Sequence, residues 1–486
     1  MSRLIVMSQP FVEPCGRGLI EAEPCPRVQG REIAVTRKRM VLAACVLASS
    51  MAFIDGSALT VALPRLRAFF DADLAAMQWV LNGYVLALAT LTLIGGALAD
   101  VYGKARVLRY GCLGFGMASV ACIFAPTIEW LIAARVAQGI AAALVTPASL
   151  ALIGATYPKD ERNGAIGIWA AASALTTAGG PVLGGWLTQE FGWQYIFAIN
   201  PPLALIATAL LMAYAPDDQH KQRRFDIAGA AILVGALAAL AWALSQIGPQ
   251  RAGAVNNILV GMAAALGIAA LAGYAAWERL SRYPMTPPRL LANRPFVTLN
   301  VVTLLVYTGL AVMFFLLSFD LIDRRHLTPT DAGLAFLPFT LGVGLLSRPF
   351  GLLADKIGAR IMLIIGPIGA AFGYILLALG KGAPLTLGVL FPMTLLGISF
   401  AVLVAPLTNS VLSSVRDDDE GLASGVNNTV SRIAQLVGIA LAAGVASYAT
   451  GYVASLIVAA VLSAAAAFAI AMMLPSSAGK PLRFRG

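Results

Sequence analysis

Long apolar runs follow one another along the chain, separated by short polar segments. Fourteen runs reach helical length, at about 41–63, 77–98, 107–125, 130–153, 165–187, 196–214, 227–247, 255–276, 296–319, 332–353, 361–379, 385–407, 421–444 and 452–474. About twenty apolar residues carry a helix across a bilayer. Runs this long and continuous exclude barrel strands, so the backbone must satisfy itself within helices. The pattern predicts an all-α integral membrane protein with 14 transmembrane helices.

Composition sharpens that reading. The chain is 59% hydrophobic and 12% charged, roughly half the charge fraction of a soluble domain. Its net charge of +10 points to membrane topology, because the bases sit in the short segments between runs and almost no soluble surface remains for a nucleic acid. With both termini inside, the inside segments hold 25 Lys and Arg, the outside segments hold 6, and 3 fall within runs. That bias follows the positive-inside rule and places both termini in the cytoplasm of a cell (inner) membrane. Five cysteines show no zinc or disulfide spacing. The first 40 residues lack the apolar core of a signal peptide and read as a disordered cytoplasmic tail, with a start at Met40 or a nearby site as the alternative.

An internal repeat organises the runs. "GALADVYGKAR" (96–106) closes the second, and "GLLADKIGAR" (351–360) closes the tenth. Each places Gly, Leu-Ala-Asp, then Gly and a base, and the two aspartates are 255 residues apart. Parallel repeats of this kind mark transporters built from two six-helix halves related by a pseudo-two-fold axis. The expected division is a tail at 1–40, a six-helix half at 41–214, an inserted two-helix region at 215–294, a second half at 295–474 and a tail at 475–486.

Ionisable residues inside apolar runs are expensive and mark function by default. Asp55 is residue 15 of the first run, and Arg135 lies in the fourth. At about 1.5 Å per residue their depths differ by a few ångströms. Both are expected to face one central cavity, directly or through water or a third residue. Apolar burial raises an acid's proton affinity and a nearby cation lowers it, so Asp55 is suited to loading and releasing a proton. The competing reading is a static ion pair joining two helices. Arg348 and Arg432 lie within about three turns of a helix end, where snorkelling is expected. Asp320, at the outer end of the ninth run, reads either as an attractor for cations at the cavity mouth or, preferably, as a solvated interfacial acid. His326 reads as a solvated loop histidine, and "RDDDEG" (416–421) as a helix cap and loop.

Taken together, the motifs resemble the major facilitator superfamily, specifically its 14-helix drug:proton antiporter family, over nearly the whole chain after residue 40. Carrying the resemblance are "GALADVYGKAR", "LIAARVAQGIAAA" (131–143), "GGPVLGG" (179–185), the opening "DGSALTVALP" (55–64) and "FGWQYIFAINPP" (191–202). It implies proton coupling through Asp55 and Arg135, with Gln138 as a further cavity candidate. It also implies a gating latch at Gly96, Asp100, Gly103, Lys104 and Arg106, matched by Asp355, Gly358 and Arg360. Val101 and Ala105 stand where the family commonly has bases, so part of the latch charge is absent. Gly180, Pro181, Gly184 and Gly185 form the segment that marks exchangers in the family. The small residues also allow close helix packing, and the proline removes a helical hydrogen bond.

No phosphate-binding loop, nucleophile elbow or zinc-protease motif occurs, and His220 and His326 lie in different loops. The reading is therefore neither ATP-driven nor enzymatic, and requires no cofactor or metal. The expected function is proton-coupled efflux of amphipathic, drug-like compounds by alternating access, with small-molecule substrate, protons and lipid bilayer as partners. In a host with two membranes, a periplasmic adaptor and an outer-membrane channel are candidate partners. The alternatives are export of a specific metabolite, amino acid or lipid-like molecule, or a non-transporting membrane sensor on the same fold.

Overall fold

The computed structural model describes residues 35–215, 226–246, 254–281, 288–416, 420–446 and 451–474. Most of the N-terminal tail with Cys15 and Cys25, His220, residues 417–419 of the acidic run and the tail at 475–486 lie outside them. Among the described residues every regular element is helical. Ten helices among the described residues are long and apolar enough to cross a membrane.

The helices are α1 (Val35–Phe70), α2 (Leu74–Tyr102), α3 (Lys104–Ile123), α4 (Ile128–Thr156), α5 (Lys159–Glu190), α6 (Gln194–Ala198) and α7 (Asn200–Tyr214), then α8 (Ile227–Ser245) and α9 (Ala254–Leu280). A short α10 (Pro288–Ala292) leads to α11 (Arg294–Phe319), α12 (Pro329–Leu334), α13 (Leu337–Ile357), α14 (Ala359–Leu379), α15 (Phe391–Ser413), α16 (Glu420–Ala446) and α17 (Gly451–Met473). Among the described residues all fourteen apolar runs are largely helical, the tenth being interrupted by a turn at Ala335 and Phe336 between α12 and α13. The sixth is broken between α6 and α7, just before Asn200 and its two prolines. Single π-helical turns extend α11 through Asp320–Arg324 and precede α15 at Thr386–Leu390.

Polar residues set several helix starts. The side chains of Asp73, Thr127, Asn293 and Thr328 accept hydrogen bonds from the first-turn amides of α2, α4, α11 and α12. The repeated motif makes the same turn twice. Gly103 (φ 100°, ψ 132°) joins α2 to α3, and Gly358 (φ 96°, ψ 133°) joins α13 to α14. A side chain at either φ would be strained.

One expected boundary is corrected. The sequence reading places residues 35–40 in a disordered tail, yet they form the first turns of α1. Arg37 donates to the carbonyls of Tyr214 and Ala215 at 2.7 and 3.1 Å. It thereby satisfies the open end of α7, a partner that local composition does not reveal.

In packing, α1 lies against α4, α5 and α7, and α3 against α4 and α7, while α2 pairs with α4. Among the later helices, α11 packs on α16 and α17, α13 on α15, and α14 on α15 and α17. The helices α8 and α9 pair with each other, and α8 also touches α2 and α16. Large apolar side chains such as Met117, Leu205, Phe372 and Phe468 are exposed, which suits a surface bathed in lipid. One end of the bundle carries Gly103 and Gly358; the other carries Arg67, Gln189 and the turn at Asp320.

Candidate functional site

Asp55 in the middle of α1 and Arg135 in α4 are both fully buried and form a direct ion pair through Oδ2 and Nη1. The other carboxylate oxygen accepts from Gln138 Nε2 and from Asn200 Nδ2, each at 3.2 Å. Gln138 is held in turn. Its carbonyl oxygen accepts from Arg135 Nη1 at 2.8 Å, and its amide nitrogen donates to Ser119 Oγ at 2.7 Å. Arg135 Nε donates to the Val80 carbonyl at 3.1 Å, and the guanidinium lies 4.4 Å from the Tyr84 ring centre. The Tyr84 hydroxyl donates to the Ala52 carbonyl at 3.2 Å. One acid thus gathers groups from α1, α2, α3, α4 and α7. Satisfaction of this kind is what allows a charge pair to persist in an apolar interior. Arg135 Nη2 and Asn200 Oδ1 have no hydrogen-bond partner among the described residues.

Beside this network lies a central cavity of about 220 Å³. Its walls come from α1 (Phe53, Gly56, Ser57, Thr60), α2 (Leu81, Tyr84, Val85), α4 (Arg135) and α5 (Thr177) on one side. Facing them are α11 (Tyr307, Phe314, Phe315), α13 (Phe339, Thr340) and α16 (Arg432, Gln435, Ile439). The wall is mostly apolar with a few polar groups, the usual make-up of a small-molecule site. Arg135 reaches the cavity, whereas Asp55 and Gln138 sit behind it, outside the wall. The expectation that the acid itself faces the cavity is corrected. Its helical neighbours Phe53, Gly56 and Ser57 line the wall, and the Asp55 carboxylate turns inward to its partners.

Two further expectations change. Asp320 is buried rather than solvated: Arg324 and Arg325 both pair with it, the latter through Nε at 3.0 Å. The π-turn brings the two arginines back onto the acid, and Arg325 also donates to the Ala383 and Gly380 carbonyls at 2.8 and 2.9 Å. Asp320 is therefore a structural anchor away from the cavity. Arg432 does not snorkel. It lines the cavity and donates to Gln435 Oε1 at 3.2 Å. His326 is exposed, as expected of a loop histidine, and Arg348 is exposed on α13.

The glycine motif of α5 lies where helices touch most closely. A Cβ on Gly180 or Gly184 would collide with Ser57 or Ala58 of α1, and one on Gly185 with the Pro329 carbonyl of α12. Pro181 lies inside α5, and its carbonyl abuts Gly333. With the Thr330 amide donating to Gln189 at 3.3 Å and Arg67 bridging to Asp323 at 3.5 Å, these contacts seal the Arg67 end of the bundle.

At the opposite end, Gly96 is part of α2, Lys104 is partly buried and Arg106 is exposed. Arg360 Nη2 donates to the Ala471 carbonyl at 2.7 Å. The carboxylates of Asp100 and Asp355 lie outside the described side chains. Sequence reasoning missed Asn200 and Ser119 as partners of the acid's network. The Asn-Pro-Pro break in the sixth run was the available signal for Asn200; a lone serine in the third run gave none.

Comparison with known proteins places the arrangement. The sequence model of the Major Facilitator Superfamily matches residues 45–297 and 299–486. The chain is 32% identical over 406 residues to the multidrug resistance protein Stp of Mycobacterium tuberculosis, covering 83% of this chain and 74% of that one. It is 31% identical over 415 residues to the lincomycin resistance protein of Streptomyces lincolnensis, covering 84% and 85%. The tetracenomycin C resistance and export protein of Streptomyces glaucescens is 28% identical over 406 residues, with 82% and 74% covered. Among solved structures, the peptide transporter POT superposes with a TM-score of 0.67 at 14% identity, over 90% of this chain and 94% of that one. The partially occluded, inward-open xylose transporter XylE of E. coli gives 0.63 at 16% identity, over 92% and 100%. The chain belongs to the Major Facilitator Superfamily, within its drug:proton antiporter family. It is accordingly a multi-pass membrane transporter of small molecules and not an enzyme.

Proposed function

We propose that the chain is a proton-coupled exporter, exchanging external protons for amphipathic, drug-like compounds by alternating access. One observation carries this reading: a fully buried carboxylate, Asp55, is tied to an arginine that itself forms part of the cavity wall. The resistance and export proteins among the relatives support the direction of transport.

In this reading all fourteen helical runs cross the inner membrane and both termini are cytoplasmic. Helices α1–α7 form one half, α11–α17 the other, and α8–α9 an inserted pair. The Gly103 end faces the cytoplasm, and the sealed Arg67 end faces out. The conformation described is then the one that collects substrate from inside, with Asp55 ionised on Arg135. When the halves rock, the seal at Gly185 and Pro329 opens and the cavity faces outward. A proton from outside neutralises Asp55, Arg135 is released from its partner, and the rearranged wall lets substrate go. Return to the inside and loss of the proton restores the pair. Asp100 and Asp355, with the bases beside them, would latch the cytoplasmic ends while the cavity faces out.

The test is proton movement in proteoliposomes holding an imposed acid gradient and an internal pH dye. Wild type and Asp55→Asn are challenged with a panel of cationic, neutral and anionic amphipathic compounds. At least one compound is expected to collapse the gradient through wild type and none through the variant. Equal collapse through both proteins would remove Asp55 from the coupling step. A panel that moves no protons through wild type would refute the exchange reading.

A further inference from the structure

The charge of the cavity wall points to the chemistry of what it holds. Among the described residues the wall contains two guanidinium groups and no carboxylate. Asp55 lies behind Arg135 with both oxygens engaged. Asp320 is occupied by Arg324 and Arg325, away from the wall.

Arg432 is partly buried among apolar side chains. Its one hydrogen bond goes to a neutral amide, that of Gln435, and none of the ion pairs among the described residues includes it. Across the cavity, the fully buried Arg135 keeps Nη2 without a hydrogen-bond partner among the described residues, its guanidinium lying over the Tyr84 ring. A guanidinium in such surroundings is costly unless something neutralises it, and its planar fork fits a carboxylate or a phenolate oxygen. Tyr307, Phe314 and Phe339 complete the site beside Arg432. Phe314 and Phe339 meet edge to face at 5.5 Å, an arrangement that accepts another ring.

We infer that this cavity selects acidic aromatic compounds over cationic ones, with the acid group on Arg432 and the ring body against Tyr307, Phe314 and Phe339. The inference rests on the exporter reading of the same cavity and narrows its substrate class. A cationic amphiphile would bring a second positive charge against Arg432 and leave the fork unfilled. An acidic one supplies the missing counter-charge and also meets the field of Arg135.

The test is equilibrium binding to the purified full chain in nanodiscs, using three probes on one ring system: 2-naphthoate, 2-naphthamide and 2-naphthylmethylammonium. Wild type is expected to bind naphthoate at least about tenfold more tightly than the ammonium probe, the size of one charge-assisted hydrogen bond. Arg432→Gln is expected to reduce the naphthoate-to-naphthamide affinity ratio to within about threefold of unity, while Arg432→Lys keeps a preference for the acid. Reading a ratio cancels a general loss of binding, and the Lys variant guards against a Gln variant that fails to fold. Tighter binding of the ammonium probe, equal binding of all three, no binding of naphthoate, or a ratio unchanged in Arg432→Gln would each overturn the inference. The exporter reading fails separately, through proton flux that ignores Asp55 or is absent across the mixed panel.

Discussion

At the scale of single residues, the centre of the molecule is a charge pair that neither partner can leave without consequence. Asp55→Asn removes the counter-charge from a fully buried arginine, so it should destabilise the protein by about 3–5 kcal/mol. The double variant Asp55→Asn/Arg135→Gln removes both charges and should recover much of that loss, since a neutral hydrogen-bonded pair has no buried ion to compensate. Thermal unfolding in detergent compares the two; a double variant less stable than the single would mean that Arg135 is held by its other contacts rather than by Asp55. The pair was legible from sequence because two charges interrupted apolar runs at nearly equal depth, and depth follows from counting residues. Asn200 was not, because an asparagine at a proline-marked break reads as loop chemistry until the helices are assembled. The direction of Arg432 was hidden for another reason. Its distance from a helix end permits snorkelling, and the rotation of α16 about its own axis is set by packing on α2, α8 and α11 rather than by its own sequence. Asp320 was misread because a π-turn, which inserts one extra residue, re-aims the two following arginines.

At the scale of elements, helix contacts set which conformations are available. Gly185 lies against the Pro329 carbonyl, where a Cβ has no room. Gly185→Ala should force α5 away from α12 and shift the population toward the form open at the Arg67 end. Spin labels on Glu190 and Leu334, both exposed, should report a longer mean distance in the variant; an unchanged distance would show that the seal adapts without opening. The pair α8–α9 is fastened differently. Asp226, ahead of α8, accepts hydrogen bonds from the Gly229 amide at 2.9 Å, from Trp277 Nε1 at 2.7 Å and from Ser281 Oγ at 2.9 Å. Burial raises its proton affinity, but these bonds outweigh it and hold the carboxyl below its ordinary value. A depressed acid stabilises the fold above the ordinary carboxylate range, near pH 4, and loses that contribution as pH falls through the lowered value. Asp226→Ala should therefore cost about 1 kcal/mol locally at neutral pH and lower the amide hydrogen-exchange protection of α9, with the difference from wild type fading below about pH 4. The helices themselves and the twin Gly103 and Gly358 turns were legible, because run length and a repeated Gly motif are local signals. The α6–α7 break and the early start of α1 depend on distant partners and were not.

At the scale of the whole molecule, membrane class and helix order are legible in the sequence, because a bilayer leaves the backbone few options. The cavity could not, since it exists where helices far apart in sequence face one another, and its net sign depends on which charges turn inward. The seal at the Arg67 end should not rest on its surface ion pair. Arg67 and Asp323 are each nearly half exposed, with side-chain exposures of 44% and 45%, and a pair so solvated contributes at most about 1 kcal/mol. Arg67→Gln should thus leave the spin-label distance across the seal within error of wild type, in contrast to Gly185→Ala. There is also a division of labour in the cavity. The acid network draws on α1, α2, α3, α4 and α7 alone, while the part of the wall proposed to hold an acidic aromatic ligand, Tyr307, Phe314, Phe339 and Arg432, comes from α11, α13 and α16. In the exporter reading, random mutagenesis confined to these three helices should therefore yield variants that handle new compounds while the proposed coupling at Asp55 stays intact. A lineage built this way can diversify what it carries without ever re-inventing how it is powered.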